Sequence, residues 1–389
     1  MRSLRRPSLW IALVVFVLFA AVIAPNMGER LLANTSAPPP LRVPVTRGIE
    51  PTYVVEAGID GEIFPALANF ASLQRPKERD FGTFTITITN STEALLNARV
   101  SVQVPGWSDA ELQNVSIGSG EVRQLLFAPV FLPRLYENHE IAAATAEIKV
   151  TDSTNRTLHT ETLPIHLRSV DDMYWGEDFR FAPFIASWVT PHDPRVELVL
   201  MKAKEFMPGR RLPGYEEWRS PDQQRQTTMQ EARALYRALQ ETGVSYVKSS
   251  LTFGRNTSVS ERIRMPGSSL EHLSANCIDG VVMYASLFEN LGMDPVVVLV
   301  PGHAYVGVRD ARDSDFYLYI ETAITGRAPF ESAVKAAING LARYQEKDIT
   351  RILVSKARLS GIYPMPLPGQ DSRHFPATEP SASASQPGN

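Results

Sequence analysis

The hydrophobic pattern of this 389-residue sequence changes its period near the middle of the chain, and that change limits the folds available to it. From about Thr52 to Arg168 apolar residues alternate with polar ones, as in TFTITIT and ARVSVQVPG. A period of two is typical of strands with one face on a core and the other in water. Beyond Arg168 apolar residues recur at helical spacing, as in TMQEARALYRALQETG, between strand-like runs. The sequence therefore predicts an α+β protein in which a strand-rich region precedes a mixed region.

The strand-rich region, residues 52–170, is predicted to form an antiparallel β-sandwich of immunoglobulin-like type. Turn-forming stretches, such as NST at Asn90 and GSG at Gly118, separate its strands. Its sequence contains no group of residues that indicates catalysis. Residues 171–227 are dense in aromatic residues and helix breakers, which favours a packed interdomain connector, with an aromatic substrate groove as the alternative.

The mixed region, residues 228–367, begins with the helix in TMQEARALYRALQETG, for which Gly243 is the expected C-terminal stop. A second helix is predicted to start at Cys277. The runs PVVVLV, HAYVGV and DFYLYIETA predict three strands. A further helix at 330–344 and a strand near Ile352 complete the expected α+β domain.

The N-terminus carries the pattern of a targeting segment. Arginines precede an uncharged apolar run from Leu9 to Ala24, which is typical of a secretion signal or a membrane-spanning helix. Because Pro25 follows a poorly formed cleavage site, residues 1–25 are predicted to remain as a signal anchor, with cleavage and secretion as the alternative. The arginines keep that end in the cytoplasm, so we expect a single-pass inner-membrane protein with most of the chain in the periplasm.

Two segments have the composition of chain without a packed core. The proline-rich residues 26–51 are predicted to be an extended linker, and the apolar-poor residues 368–389 are predicted to be a disordered tail.

Net charge and motifs limit the expected partners and cofactors. A formal net charge of −3 gives no basic surplus for neutralising phosphates, so no nucleic-acid partner is expected, and membrane contact is assigned to the N-terminal helix. The sequence has no HExxH motif, calcium-loop spacing or phosphate-binding glycine motif, so neither a metal nor a cofactor is expected.

The single cysteine, Cys277, cannot form an internal disulfide and would be an unpaired thiol outside the cytoplasm. A nucleophilic cysteine needs a stabilised thiolate, a histidine base and a third group that orients the imidazole. The start of a helix, directly after the capping residue Asn276, favours thiolate over thiol. A buried structural thiol is the alternative interpretation.

His303 and Glu321 are the candidate partners of the cysteine. If HAYVGV and DFYLYIETA form a hairpin whose turn is centred near Arg312, His303 lies directly opposite Glu321. The carboxylate would then hold one imidazole nitrogen while the other faces the sulfur. A structural histidine and a solvated strand-end carboxylate are the alternatives. His272 is a competing base in a loop, and Asp279 is interpreted as a helix-start charge that complements the helix dipole.

The stretch SANCIDGVVMYASLFENLGMDPVVVLVPGHAYVGV, followed by YLYIETA, resembles the bacterial transglutaminase-like superfamily. In that family a papain-like core places a cysteine at a helix N-terminus and a histidine and an acid on adjacent strands. The resemblance covers residues 228–323 and implies that Cys277 is the nucleophile, His303 the general base and Glu321 the orienting acid. The acid in well-studied members is usually aspartate, so the glutamate is a departure from the pattern.

This resemblance implies a membrane-tethered, extracytoplasmic thiol enzyme with a Cys-His-Glu triad. Its reaction would be hydrolysis of an amide or peptide bond, or transfer of the acyl group, and its expected partner is a protein or peptide substrate in the cell envelope. The competing hypothesis is a catalytically inactive, transglutaminase-like binding or scaffolding protein of the envelope, because folds are often retained after their chemistry is lost.

Overall fold

A computed structural model describes residues 48–216, 219–248 and 259–368 of the chain. The predicted signal anchor, all of the linker before position 48 and the predicted tail beyond position 368 lie outside these residues. Within the described ranges, none of the helices combines the length and the apolar character needed to cross a membrane.

The strand-rich region folds into two sheets, as its alternating pattern indicates. The elements are β1 (Thr52–Ala57), β2 (Glu62–Ile63), α1 (Pro65–Leu73), β3 (Phe84–Thr89), β4 (Leu96–Gln103), β5 (Glu111–Ile117), β6 (Val122–Phe127), α2 (Pro133–Tyr136), β7 (Ala142–Asp152) and β8 (Thr157–Leu167). One sheet has the strand order β1-β3-β6, and the other has the order β2-β8-β7-β4-β5. Neighbouring strands are antiparallel except for the short β2, which runs parallel to β8.

Alternation decides which face of each strand is buried. On β3, Phe84, Ile86 and Ile88 are fully buried while the intervening threonines are only partly covered. Val100 and Val102 on β4 follow the same rule. The buried faces of the two sheets belong to one continuous hydrophobic core, so burial of apolar area holds them together.

Residues 171–227, the predicted connector, contain a short strand and several helices. The strand, β9 (Asp172–Tyr174), pairs antiparallel with β11 (Ser260–Arg262) from the second half of the chain. A 3₁₀ helix, Ala182–Trp188, buries Trp188 completely. Residues from both halves of the chain share a single core, to which this connector contributes.

A buried arginine joins the sandwich to this connector. Arg168 Nε donates to Asp172 Oδ2 at 2.8 Å, and its Nη1 donates to Glu62 Oε1 at 3.2 Å. The Arg168 side chain is fully enclosed and lies over the Phe64 ring. A cation buried this deeply is tolerated because carboxylates surround it.

The mixed region consists of helices packed on a four-stranded sheet that is antiparallel throughout. The remaining elements are α3 (Pro194–Ala203), α4 (Pro221–Thr242), β10 (Ser245–Tyr246), α5 (Pro266–Glu271), β12 (Ser274–Ala275), α6 (Cys277–Asn290), β13 (Pro295–Val300), β14 (His303–Arg309), β15 (Tyr317–Ile320), α7 (Phe330–Leu341), β16 (Thr350–Leu353) and α8 (Val354–Leu359). The strand order in the sheet is β15-β14-β13-β16. Helix α4, which was predicted from Thr228, begins earlier, at Pro221, where Ser220 and Gln223 form a capping box, and it ends at Gly243 as expected.

The two faces of this sheet carry different cores. On one face, residues of β14 such as Val306 and Val308 join the main core together with the apolar residues of α6. On the other face, Val298, Tyr305 and Ala337 belong to a second, smaller core beneath α7. Helices α6 and α7 therefore lie on opposite faces of the sheet, which confirms the mixed α+β class.

Candidate active site

Cys277 is the first residue of α6, as the sequence predicts, and its thiol is partly buried. The Asn276 side chain caps the helix by accepting a hydrogen bond from Asp279 N at 2.8 Å. In return, Asp279 Oδ2 accepts a hydrogen bond from Asn276 N at 3.0 Å. Asp279 Oδ1 also accepts from Arg264 N at 2.8 Å. Burial raises the pKa of Asp279, although these backbone amides oppose the shift. Asp279 is therefore a capping residue whose carboxylate is occupied by backbone, and it fixes the turn that carries the cysteine.

His303 and Glu321 are brought together, but in a register that differs from the predicted one. Val306 pairs with Ile320, which places Glu321 level with Tyr305 and not with His303. The prediction that His303 lies directly opposite Glu321 is wrong by two residues. Because two residues are one full period of a strand, the two side chains still share a face of the sheet.

The Glu321 carboxylate is held at both oxygens. Its Oε2 lies 2.7 Å from His303 Nε2, and its Oε1 accepts from Ala323 N at 2.9 Å. The second bond caps a 3₁₀ turn, Thr322–Ile324, that begins where β15 ends. Glu321 is 9% exposed, so the interpretation of a solvated strand-end carboxylate is wrong.

The His303 ring bridges the thiol and the carboxylate. Hydrogen bonds with Cys277 and with Glu321 raise the pKa of His303 to about 10, against the opposing effect of burial. Since Nε2 faces Glu321, Nδ1 is the nitrogen that remains for the sulfur. At neutral pH the ring is therefore a cation between the sulfur and a carboxylate.

The turn after Glu321 also packs against the start of α6. Thr322 Oγ1 donates to Cys277 O at 3.2 Å. A Cβ at Gly280 would lie 2.7 Å from Thr322 Oγ1, so only glycine allows this approach. Neither residue was predicted from the sequence, although a glycine inside a helix is a recognised sign of close packing.

Tyr246 is a further residue near the cysteine, and it was not predicted from the sequence. Strand β10 pairs with β12 so that Tyr246 is level with Ala275, two residues before Cys277. Tyr246 is 48% exposed. Partial burial, followed by the charges of Cys277 and Glu321, raises the pKa of Tyr246. An exposed aromatic ring therefore borders the reactive group, and no sequence pattern in the short β10 indicates this.

The competing base His272 is not part of this arrangement. It is exposed, and its Nδ1 bonds to Ser268 O on its own helix at 2.8 Å. An open cavity of about 470 Å³, lined in part by Asp294, Arg309 and Arg312, lies at the other end of α6 and β14. Since Cys277 and His303 begin these elements, this cavity is separate from the candidate site.

Among the described residues, no cluster of histidine, cysteine and carboxylate side chains is arranged to hold a metal ion. Comparison with known proteins finds no matching family model, no matching curated protein and no matching solved structure.

Proposed function

We propose that this protein is a transglutaminase-like thiol enzyme that attacks amide or peptide carbonyls through Cys277, His303 and Glu321. The observation that supports it is that His303, whose Nε2 lies 2.7 Å from Glu321 Oε2, also has its pKa raised by the Cys277 thiol at the N-terminus of α6. Nucleophile, base and orienting acid in this order are what nucleophilic acyl chemistry requires. The two-sheet N-terminal region would be the immunoglobulin-like sandwich of the same proposal.

The chemistry follows from the charge on each group. The Cys277 thiolate attacks the carbonyl carbon, and the resulting oxyanion forms beside the backbone amide of Cys277, which has no acceptor within the helix. His303 then gives its Nδ1 proton to the leaving nitrogen, and the C–N bond breaks to leave a thioester and a free amine. Water or a second amine attacks the thioester while neutral His303 accepts its proton, which releases the acid or new amide and restores the thiolate.

Each partner group has a defined part in this cycle. Glu321 holds Nε2, so the ring cannot turn Nδ1 away from the sulfur, and its negative charge stabilises the imidazolium. Asp279 and Asn276 fix the helix start, and Thr322 fixes the carbonyl of Cys277.

We also propose that residues 1–25 anchor the enzyme in the inner membrane and place residues 48–368 outside the cytoplasm. The support is the arginine-flanked apolar run, since positive residues remain on the cytoplasmic side. Its substrate would then be a protein or peptide of the cell envelope. A reporter fused after Asn389 should be active only outside the cytoplasm, and activity inside would contradict this orientation.

The test of the function is trapping of an acyl group on Cys277. The purified protein is incubated with a panel of activated esters and peptide amides, and intact-protein mass spectrometry measures the adduct. Wild type should gain one acyl group, hydroxylamine should remove it, and Cys277→Ala should gain none. An amine tracer separates transfer from hydrolysis. If Cys277→Ala retains turnover of a substrate that wild type processes, Cys277 is not the nucleophile. If no panel member acylates wild type, the inactive scaffolding interpretation is favoured instead.

A further inference from the structure

Tyr305 is a contact of the His303 ring that the proposed cycle does not use. The two rings meet edge to face, with centroids 4.7 Å apart and planes at 89°. They are two residues apart on β14, so they share the face of the sheet that lies beneath α7. Tyr305 is 5% exposed, which gives its ring little freedom to move. The imidazole is thus in contact with the thiol, the carboxylate and a fixed aromatic ring.

Helix α7 has a space that the Tyr305 phenol occupies. A Cβ built at Gly340 would lie 2.1 Å from Tyr305 Oη and 2.9 Å from its Cζ. Glycine inside a helix is less stable than alanine by about 1 kcal/mol. The Tyr305 phenol explains the buried glycine at position 340, because any residue with a Cβ would collide with it.

The same helix also holds the acid. Glu321 N donates to Ala333 O in the first turns of α7 at 3.2 Å. Ala333, Ala337 and Gly340 are buried and are spaced by four and three residues, so they form one face of α7 toward the sheet. The backbone of the acid and the aromatic neighbour of the base therefore rest on one helix.

We infer that Tyr305 is a positioning residue, which α7 presses against His303 so that the imidazole keeps both its Cys277 and Glu321 hydrogen bonds. This inference rests on the proposed function for its catalytic meaning. Rotation of the ring about its bond to Cβ would break one of the two bonds. The Tyr305 ring packs edge to face against the imidazole and therefore opposes that rotation.

Substitutions can separate the role of the Tyr305 hydroxyl from that of its ring. Gly340→Ala places a methyl group 2.1 Å from the hydroxyl oxygen, so it should displace Tyr305 and, through it, His303. Tyr305→Phe removes the atom that would be 2.1 Å away, and the double variant leaves Cζ, at 2.9 Å, as the nearest atom. Tyr305→Phe alone should behave like wild type, and in the double variant it should rescue most of the Gly340→Ala defect.

The experiment measures alkylation of Cys277 by iodoacetamide at pH 6, together with the pKa of His303 from NMR of labelled histidine. The ring is assigned with His303→Asn. Gly340→Ala should alkylate about tenfold or more slowly, as displacements near an active site do. Its His303 pKa should fall from about 10 toward the ordinary value of 6.5. The double variant should recover to within about threefold of wild type, with intermediate pKa values.

Two outcomes overturn the inference: Gly340→Ala with an unchanged rate and His303 pKa, or a double variant no better than Gly340→Ala. If thermal unfolding shows that Gly340→Ala does not fold, Tyr305→Leu takes its place, because it removes the ring and leaves the helix intact. It should then show the slower alkylation and the lower His303 pKa, and wild-type values would refute the role. Alkylation needs no substrate, so failure of acyl trapping tests the proposed function separately.

Discussion

Replacement of Glu321 by aspartate tests whether the reach of this side chain, rather than its charge alone, positions His303. The strand register places Glu321 level with Tyr305, diagonal to His303. Diagonal neighbours are about 7–8 Å apart, further than directly opposed residues. A long acid is therefore needed to reach His303 from this position.

The magnitude follows from the observed distance. Aspartate is shorter by one methylene, about 1.5 Å. If the backbone stays in place, the 2.7 Å contact with His303 Nε2 lengthens to about 4 Å, beyond hydrogen-bonding range. Loss of a hydrogen bond to a charged group costs about 1.5–3 kcal/mol, or roughly 10- to 100-fold in rate. The backbone at position 321 is fixed by Ala333 O and cannot easily follow.

The assay compares Glu321→Asp with Glu321→Gln, which keeps the length and removes the charge. Glu321→Gln should lower turnover by on the order of 10²–10⁴, as for triad acids in general, while its amide still orients the ring. Glu321→Asp should lose turnover although it keeps the charge, and its His303 pKa should fall below about 10 in NMR titration. Aspartate turnover within twofold of wild type, with His303 unchanged, would refute the reasoning about reach.

Three further predictions concern stability. Because the pKa of His303 rises from 6.5 to about 10 on folding, its stabilisation is complete below pH 6.5 and is lost as pH rises through 10. Wild type should therefore lose more thermal stability than His303→Asn between pH 6.5 and 10, and parallel curves would contradict this. Burial raises the pKa of Glu231 from 4.5 to about 7, so its stabilisation is complete below pH 4.5 and is lost as pH rises through 7. Relative to wild type, Glu231→Gln should gain on the order of 2–3 kcal/mol in unfolding free energy over this range, and a pH-independent difference would count against it. Arg168→Met leaves two buried carboxylates without their shared cation and should cost about 3–5 kcal/mol in urea unfolding. The matched exposed change Arg195→Met, at an ion pair with Glu271, should have little effect, and equal effects would refute the role of burial.

Local features of the sequence were sufficient to predict the elements that carry the site. Alternation identifies Phe84, Ile86 and Ile88 as one buried face of a strand, because side-chain direction in a strand reverses at each residue. The helix start at Cys277 could be predicted because capping depends on Asn276, its immediate neighbour. His303 and Glu321 were paired by assuming a hairpin centred near Arg312, and the two-residue error in that register kept them on one face because a strand repeats every two residues.

The tertiary structure decided how these elements meet. The hairpin register differs from the predicted one by two residues, since the conformation of the loop between β14 and β15 sets the offset. Pairing of β9 with β11, and the placement of Gly340 over Tyr305, join positions far apart in the chain. No local pattern specifies such contacts, because they arise only when two surfaces with complementary shapes pack together. The sequence therefore determined which groups are available for chemistry, and packing determined the 2.7 Å contact that joins His303 to Glu321.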